Sequence, residues 1–475
     1  MKEINLEELN FEKDDLLNRK QIAINLTNII KNKSNLNVLA IDSSWGTGKT
    51  TFINKWTNML KSDSNYIDTF ETIYFNAWES DYSNDALLSL IFQINKSISK
   101  TLEDDKSLFE KHNEKFKNIG KLAGTLAIKY LTRGALDLVE WNKNLEDGLS
   151  DFSSKIGESI FKQHSIQNDT RKALKENLIE YQNIVDKKII IFIDELDRCK
   201  PTYAIQILET IKHLFNIDNY IFVISLDKEQ LSHSIKTIYG QDMDSDGYLR
   251  RFFDLEYILP SDNNKLYIEN KFDNVFNKFT NTDYLMRFLK NIFIQEKYSL
   301  RDIDKALSFT EILISNVEFF DKNYLETSTI EWNPLKILVS SYLYSYLINL
   351  KIKHSNLMSI LFSKSYKDDN LKIFPYIDTI ELDLSSDIFD DSVAKKSIKN
   401  AFDLLAKLNL KLQNPNINPV DSEFRKDYFI SIEKNTNTNF RSYTYYDRNK
   451  NLDLTFFFTD HKILDKFQFA DNFTL

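Results

Sequence analysis

Up to Pro260 the chain alternates between short apolar runs and segments with helical spacing. Val38-Leu39-Ala40-Ile41, Thr72-Ile73-Tyr74-Phe75-Asn76-Ala77-Trp78, the run within Lys187 to Ile193, and Tyr220 to Leu226 read as strands. The continuous apolar character of Ile189 to Ile193 suits a parallel strand buried on both faces. A shorter run, Phe252 to Leu259, ends at Pro260. Helical spacing precedes the first strand, where Ile22, Leu26, Ile29 and Ile30 form a stripe, and recurs over Asp85 to Ile98, Pro201 to Phe215 and Lys228 to Tyr239. This alternation predicts an α/β fold, a parallel five-stranded sheet with helices on both faces. No strand-like run occurs from 101 to 185, and its polar, Lys- and Glu-rich periodicity predicts a helical insertion.

Beyond Pro260 the pattern turns mainly helical, over Tyr267 to Phe279, Asp283 to Ile294, Arg301 to Asn316 and Pro334 to Leu350. The Phe- and Tyr-rich alternation near the C-terminus, as in Thr455-Phe456-Phe457-Phe458-Thr459, fits either a strand or a buried helix end. The expected organisation is a core at 1–262 with the insertion at about 101–185, a helical lid domain at 263–370, and a C-terminal region of uncertain fold at 371–475. A chain of 475 residues exceeds what one hydrophobic core serves.

The loop after the first strand carries the chemistry. Ser43-Ser44-Trp45-Gly46-Thr47-Gly48-Lys49-Thr50 leads into helix-like Thr51-Phe52-Ile53. Phosphate binding needs a tight turn whose backbone N–H groups converge on oxygen, reinforced by the positive end of the following helix. Gly46 and Gly48 permit the close approach. Lys49 can reach the β and γ phosphates and the Thr50 hydroxyl can ligate Mg²⁺. Ser44, Trp45, Thr47 and Thr51 complete the expected nucleotide contacts. Ser43 stands where the motif usually has glycine, and mild loop strain is expected there.

The strand from Lys187 ends in Asp194-Glu195. In phosphate-loop enzymes such an aspartate sits near Mg²⁺ and the adjacent acid orients or deprotonates the attacking water. Asp194 is therefore the candidate metal ligand and Glu195 the candidate base; strand-end carboxylates are also common without a catalytic role.

Four blocks in order, Trp45-Gly46-Thr47-Gly48-Lys49-Thr50, Phe75-Asn76-Ala77-Trp78, Ile193-Asp194-Glu195-Leu196-Asp197-Arg198-Cys199-Lys200-Pro201 and Tyr248-Leu249-Arg250-Arg251-Phe252-Phe253-Asp254, resemble the KAP group of phosphate-loop NTPases. The resemblance spans roughly residues 10 to 310 and makes Cys199 a packing residue. The family often has Asp where Glu195 stands. Many members carry two membrane helices between the nucleotide motifs; the polar insertion here implies a cytoplasmic member instead. The resemblance also implies a setting in prokaryotic defence against phage or plasmids.

Candidate charge-stabilising arginines follow the core. Arg250 and Arg251 precede the last strand, where related ATPases place a finger reaching a neighbouring subunit, and Arg301 in Ser299-Leu300-Arg301-Asp302 resembles a sensor arginine in the lid. A surface ion pair is the plain alternative for each. Asp197 and Arg198 are expected to pair structurally, Asp227 to cap the next helix, and Ser225 is a candidate γ-phosphate sensor. ATP is the expected nucleotide in preference to GTP.

Bulk properties narrow the partners. The net charge of −9 gives no global attraction to nucleic acid, leaving one local candidate, Lys111, Lys115, Lys117, Lys121 and Lys129, which a solvated helix face explains as well. The most apolar long window, Ile119 to Val139, contains Lys121, Lys129, Arg133 and Asp137, so no membrane span is expected. The chain opens without an apolar leader, and a secretory signal is not expected. Lone Cys199 excludes an intramolecular disulfide, in keeping with a cytoplasmic location, and six scattered histidines lack zinc-ligand spacing. The leading expectation is a Mg²⁺-dependent ATPase acting as a conformational switch, as a homo-oligomer or with a partner protein. The alternatives are a slow nucleotide-gated scaffold and a nucleic-acid-stimulated motor.

Overall fold

The computed structural model describes residues 9–97, 175–321 and 334–355, apart from scattered positions within them, and two short strands, Phe429–Ile430 and Leu452–Asp453. Most of the expected insertion, its lysine cluster, and nearly all of 371–475 lie outside the described residues. The chain divides into two compact units, Met1–Ser261 and Asp262–Leu475.

The first unit is built on β1 (Val38–Asp42), β2 (Phe70–Asn76), β3 (Lys188–Asp194), β4 (Tyr220–Leu226) and β5 (Leu255–Ile258), all parallel in the order β2-β3-β4-β1-β5. Alternate residues of each strand feed two cores. Leu39, Ile41, Ile190, Phe192, Ile221 and Val223 pack on the face covered by α1 (Phe11–Asp14), α2 (Lys20–Asn32) and α3 (Lys49–Ser62). On this face Trp56, fully buried, sets its ring edge-on to Phe192 at 5.2 Å, and its indole donates to Thr27 Oγ1 at 2.9 Å.

Val38, Ala40, Ile189, Ile191, Ile193, Phe222 and Ile224 face the other core, against α5 (Pro201–Leu214), α6 (Lys228–Tyr239) and helical residues within 86–97 and 175–185. The helix leaving β1 thus lies on one face and the helix leaving adjacent β4 on the other. Neighbouring strands whose connections diverge in this way leave a crevice at their carboxyl ends, where open α/β sheets bind ligands.

Three local expectations are corrected. The second strand stops at Asn76, because the Asn76 side chain accepts from Trp78 N–H at 3.1 Å and Glu79 N–H at 3.3 Å and so caps a short helix, α4 (Ala77–Ser80). The fifth strand begins at Leu255, with α7 (Ser245–Leu249) and a turn occupying the residues before it. On α2 the buried face is Ala23, Leu26, Thr27 and Ile30, with Ile29 exposed, one step round the helix from the expected stripe.

The described part of the second unit is mainly helical: α8 (Lys265–Phe276), α9 (Asp283–Gln295), α10 (Leu300–Ile314) and α11 (Pro334–Lys353). Phe288 meets Tyr342 edge-on at 5.1 Å, joining α9 to α11. Among the described residues no helix is long and apolar enough to cross a membrane.

Candidate nucleotide site

Every strand whose carboxyl end faces the crevice delivers a polar residue there. Asp42 ends β1, Asn76 ends β2, Asp194 ends β3 in register with Asn76, and Asp227 follows β4. The phosphate loop hangs from β1 and closes onto α3, with Gly46 at φ 78° and Gly48 at φ 87°. This left-handed backbone is open to glycine at little cost. Ser43 has no such φ, so the expected strain is absent; its N–H donates to Leu226 O at 3.1 Å and its hydroxyl lies 2.7 Å from Thr47 Oγ1.

Lys49 is buried in the first turn of α3, and its ammonium donates to Ser43 O and, at 3.3 Å, to Ser44 O. Burial lowers the Lys49 pKa below the ordinary lysine value, opposed by the charges of Asp197, Asp227, Asp194 and Asp42. Thr50 is half-buried beside it, while Ser44, Trp45 and Thr51 are exposed.

Asp194 is fully buried. Its Oδ1 accepts from the Glu195 N–H at 2.9 Å and its Oδ2 from the Tyr74 hydroxyl at 3.2 Å. Glu195 sits at φ 60°, a left-handed conformation costly for a residue with a Cβ. The turn aims its carboxylate at two donors: Asn76 Nδ2 reaches Oε2 at 3.2 Å and Arg198 reaches Oε1 at 2.8 Å. Burial raises the Glu195 pKa, Arg198 and Asn76 pull it down, and nearby Asp194 pushes it up. Arg198 in turn lies 5.4 Å from the ring centroid of exposed Trp78.

Asp197 and Arg198 therefore do not pair with each other as expected. Asp197 instead takes the indole N–H of Trp45 on Oδ2, while its buried Oδ1 has no hydrogen-bond partner. Burial raises its pKa against the pull of Lys49. Asp227 caps α6, as anticipated, accepting from Gln230 N–H at 3.2 Å, and also binds Trp45 N–H at 3.0 Å. Ser225 is fully buried in β4 and its hydroxyl lacks a partner. Cys199 is buried with its thiol on Glu195 O, the packing role expected of it.

The three candidate arginines are exposed. Leu249, Phe252 and Phe253 anchor the segment before β5 in the core and leave Arg250 and Arg251 on the surface. Arg301 is exposed in the first turn of α10, behind a capping box in which Asp302 N–H donates to Ser299 Oγ at 3.1 Å. Among the described residues no hydrogen bond or ion pair links the Arg250 or Arg251 guanidinium to the phosphate loop. Asn76, paired here with the candidate base, was legible only as part of a sequence block. Arg19 carried no signal at all: it lies outside every motif, yet its guanidinium donates to the Thr47 carbonyl at 2.9 Å. Among the described residues no group of three or more histidine, cysteine, aspartate or glutamate side chains is placed to hold a metal ion by itself.

The KAP family P-loop domain matches residues 19–442, and the chain belongs to that family. No curated protein matches the chain.

Proposed function

We propose that this KAP-family chain is a Mg²⁺-dependent ATPase whose bound and hydrolysed states switch the conformation of its helical unit. The observation that carries this reading is the pairing, at one sheet edge, of a glycine-formed phosphate loop with a buried Asp194 and a Glu195 whose pKa is raised by burial. The four aspartates around Lys49 leave an excess of negative charge that suits a divalent cation. Thr50 and Asp194 would hold that Mg²⁺, which supplies neutralisation of the β and γ phosphate charge.

The chain's own residues do the rest. Backbone N–H groups from Gly46 to Thr50 bind phosphate, with Lys49 moving from the Ser43 carbonyl to the phosphate oxygens. Asn76 and Arg198 orient the Glu195 carboxylate, which takes the proton of the attacking water. Its raised pKa strengthens it as a base. Charge developing on the γ-phosphate falls to Lys49, and to Arg301, Arg250 or Arg251 where movement or a second copy brings them in. We keep an oligomeric assembly and a place in defence against phage or plasmids as parts of the same proposal.

Glu195→Gln tests it. Phosphate release should fall by roughly 10²- to 10⁴-fold, the worth of a positioned general base, while calorimetric ATP affinity stays within a few-fold. Equal turnover in the variant would remove Glu195 from catalysis.

A further inference from the structure

Arg19 is a buried cation that no step above uses. It is 4% exposed, just before α2, and its guanidinium hydrogen bonds go to backbone carbonyls: Thr47 O at 2.9 Å, Gly48 O at 3.4 Å and Pro260 O at 2.7 Å. Asp15, the carboxylate acting on it most strongly, accepts instead from the backbone N–H groups of Arg19 and Lys20, each at 2.8 Å. Burial lowers the guanidinium pKa to about 10, so it remains a cation at neutral pH. Burying a charge this deeply is expensive unless its donors are satisfied. Here they are satisfied by the loop that must receive phosphate.

Geometry says what this accomplishes. In a planar trans peptide the C=O and the following N–H point in opposite directions. Holding the Thr47 and Gly48 carbonyls toward Arg19 therefore turns the N–H groups of Gly48 and Lys49 away from it, onto the phosphate side of the loop. With φ 78° at Gly46 and 87° at Gly48 the glycine backbone has other rotations within reach, and something must select this one.

We propose that Arg19 is a positioning residue for nucleotide binding: from behind, it fixes the peptide orientation of the phosphate loop and ties it to Pro260 at the end of the strand unit. The assignment rests on the nucleotide reading above. A lysine could not replace it, because one ammonium cannot present the planar fork that spans Thr47 and Pro260. The positive charge behind the loop also favours a polyanion in front of it.

The test titrates ADP and ATP calorimetrically into wild type, Arg19→Ala, Arg19→Lys and Lys49→Met, and records the melting temperature of each without nucleotide. Arg19→Ala should weaken both nucleotides by roughly ten- to a hundredfold, the loss of charge-assisted hydrogen bonds, and Arg19→Lys should recover only part of that. Millimolar guanidinium should restore binding to Arg19→Ala and leave Lys49→Met unchanged. A melting temperature that falls while the affinity of the folded protein and its response to guanidinium stay put would make Arg19 structural only and overturn the proposal. Should Arg19→Ala fail to fold, Arg19→Lys decides, and wild-type affinity in it overturns the proposal. Absence of nucleotide binding by wild type would sink the nucleotide reading itself; normal binding by wild type and both Arg19 variants would sink this inference alone.

Discussion

The two units place their ionisable groups differently. In the strand unit Arg19, Lys49, Asp194, Asp197 and Asp227 are buried around the carboxyl edge of the sheet, and among the described residues Lys55, on α3, is the one other buried charged side chain. Among the described residues of the helical unit the buried polar side chains are uncharged, such as Thr310, Ser340, Ser345 and Asn349, and ion pairs sit at the rim, as with Lys271–Asp304 at 2.8 Å and Lys278–Glu311 at 3.0 Å. Rim pairs cost little to keep and contribute little. Buried charges are retained at a cost, so their concentration at one edge marks where the chain is shaped for a charged ligand rather than for stability.

The strongest way to break that contrast is Lys49→Met, which removes the buried ammonium while keeping most of its stem. Turnover should drop by roughly 10²-fold or more, as when a preorganised donor to developing charge is deleted. Steady-state phosphate release measures it. A variant within fivefold of wild type would mean that the buried charges serve the fold after all.

The matching change in the helical unit is Tyr298→Phe. The Tyr298 hydroxyl donates to Asn349 Oδ1 at 2.7 Å, with both residues buried. Its removal leaves that oxygen unpaired and should cost about 1–3 kcal/mol of stability, read by denaturant unfolding, with nucleotide affinity unchanged. An altered affinity would show the neutral core of this unit to be part of the site.

This division explains what the sequence could disclose. Strand β4 and helix α6 fall on the expected residues, Tyr220–Leu226 and Lys228–Tyr239, because a fully buried strand is one apolar run and Asp227 is a plain cap signal. The loop glycines and Asp194-Glu195 were legible because phosphate chemistry demands those types at that spacing. The register partners were not: Asn76 meets Glu195 only because β2 lies beside β3, and strand order is a property of the assembled sheet. Arg19 was hidden for the same reason, since its acceptors are backbone carbonyls, which leave no trace in residue type. Trp78 was read as the end of the second strand and is 49% exposed, because the Asn76 cap turns the chain out of the strand two residues early.

Arg198→Ala sharpens the contrast within the site. The raised Glu195 pKa reflects burial first, with Arg198 the largest opposing influence, so removing Arg198 should push it further up. Glu195 must be ionised to accept a proton, and the acidic limb of turnover should therefore move to higher pH. Stability follows with a definite sign. A carboxyl whose folded value is raised contributes stability below its ordinary value, and that contribution is lost as pH rises through the folded value. In Arg198→Ala the loss should come at higher pH than in wild type. Turnover and denaturation profiles across mildly acidic pH check both, and superimposable profiles would mean that Arg198 does not act on Glu195.

The smallest effect belongs to the rim of the helical unit. Lys278 and Glu311 are 69% and 41% exposed at the side chain, so water screens their attraction and both side chains lose freedom to hold it. Lys278→Ala should change stability by less than about 0.5 kcal/mol, and that change should shrink further in high salt. Denaturant midpoints at low and high ionic strength measure it. A loss above 1 kcal/mol that survives salt would show that this unit, too, relies on charge to hold its shape, and buried ionisable groups would then no longer single out the sheet edge as the place of chemistry.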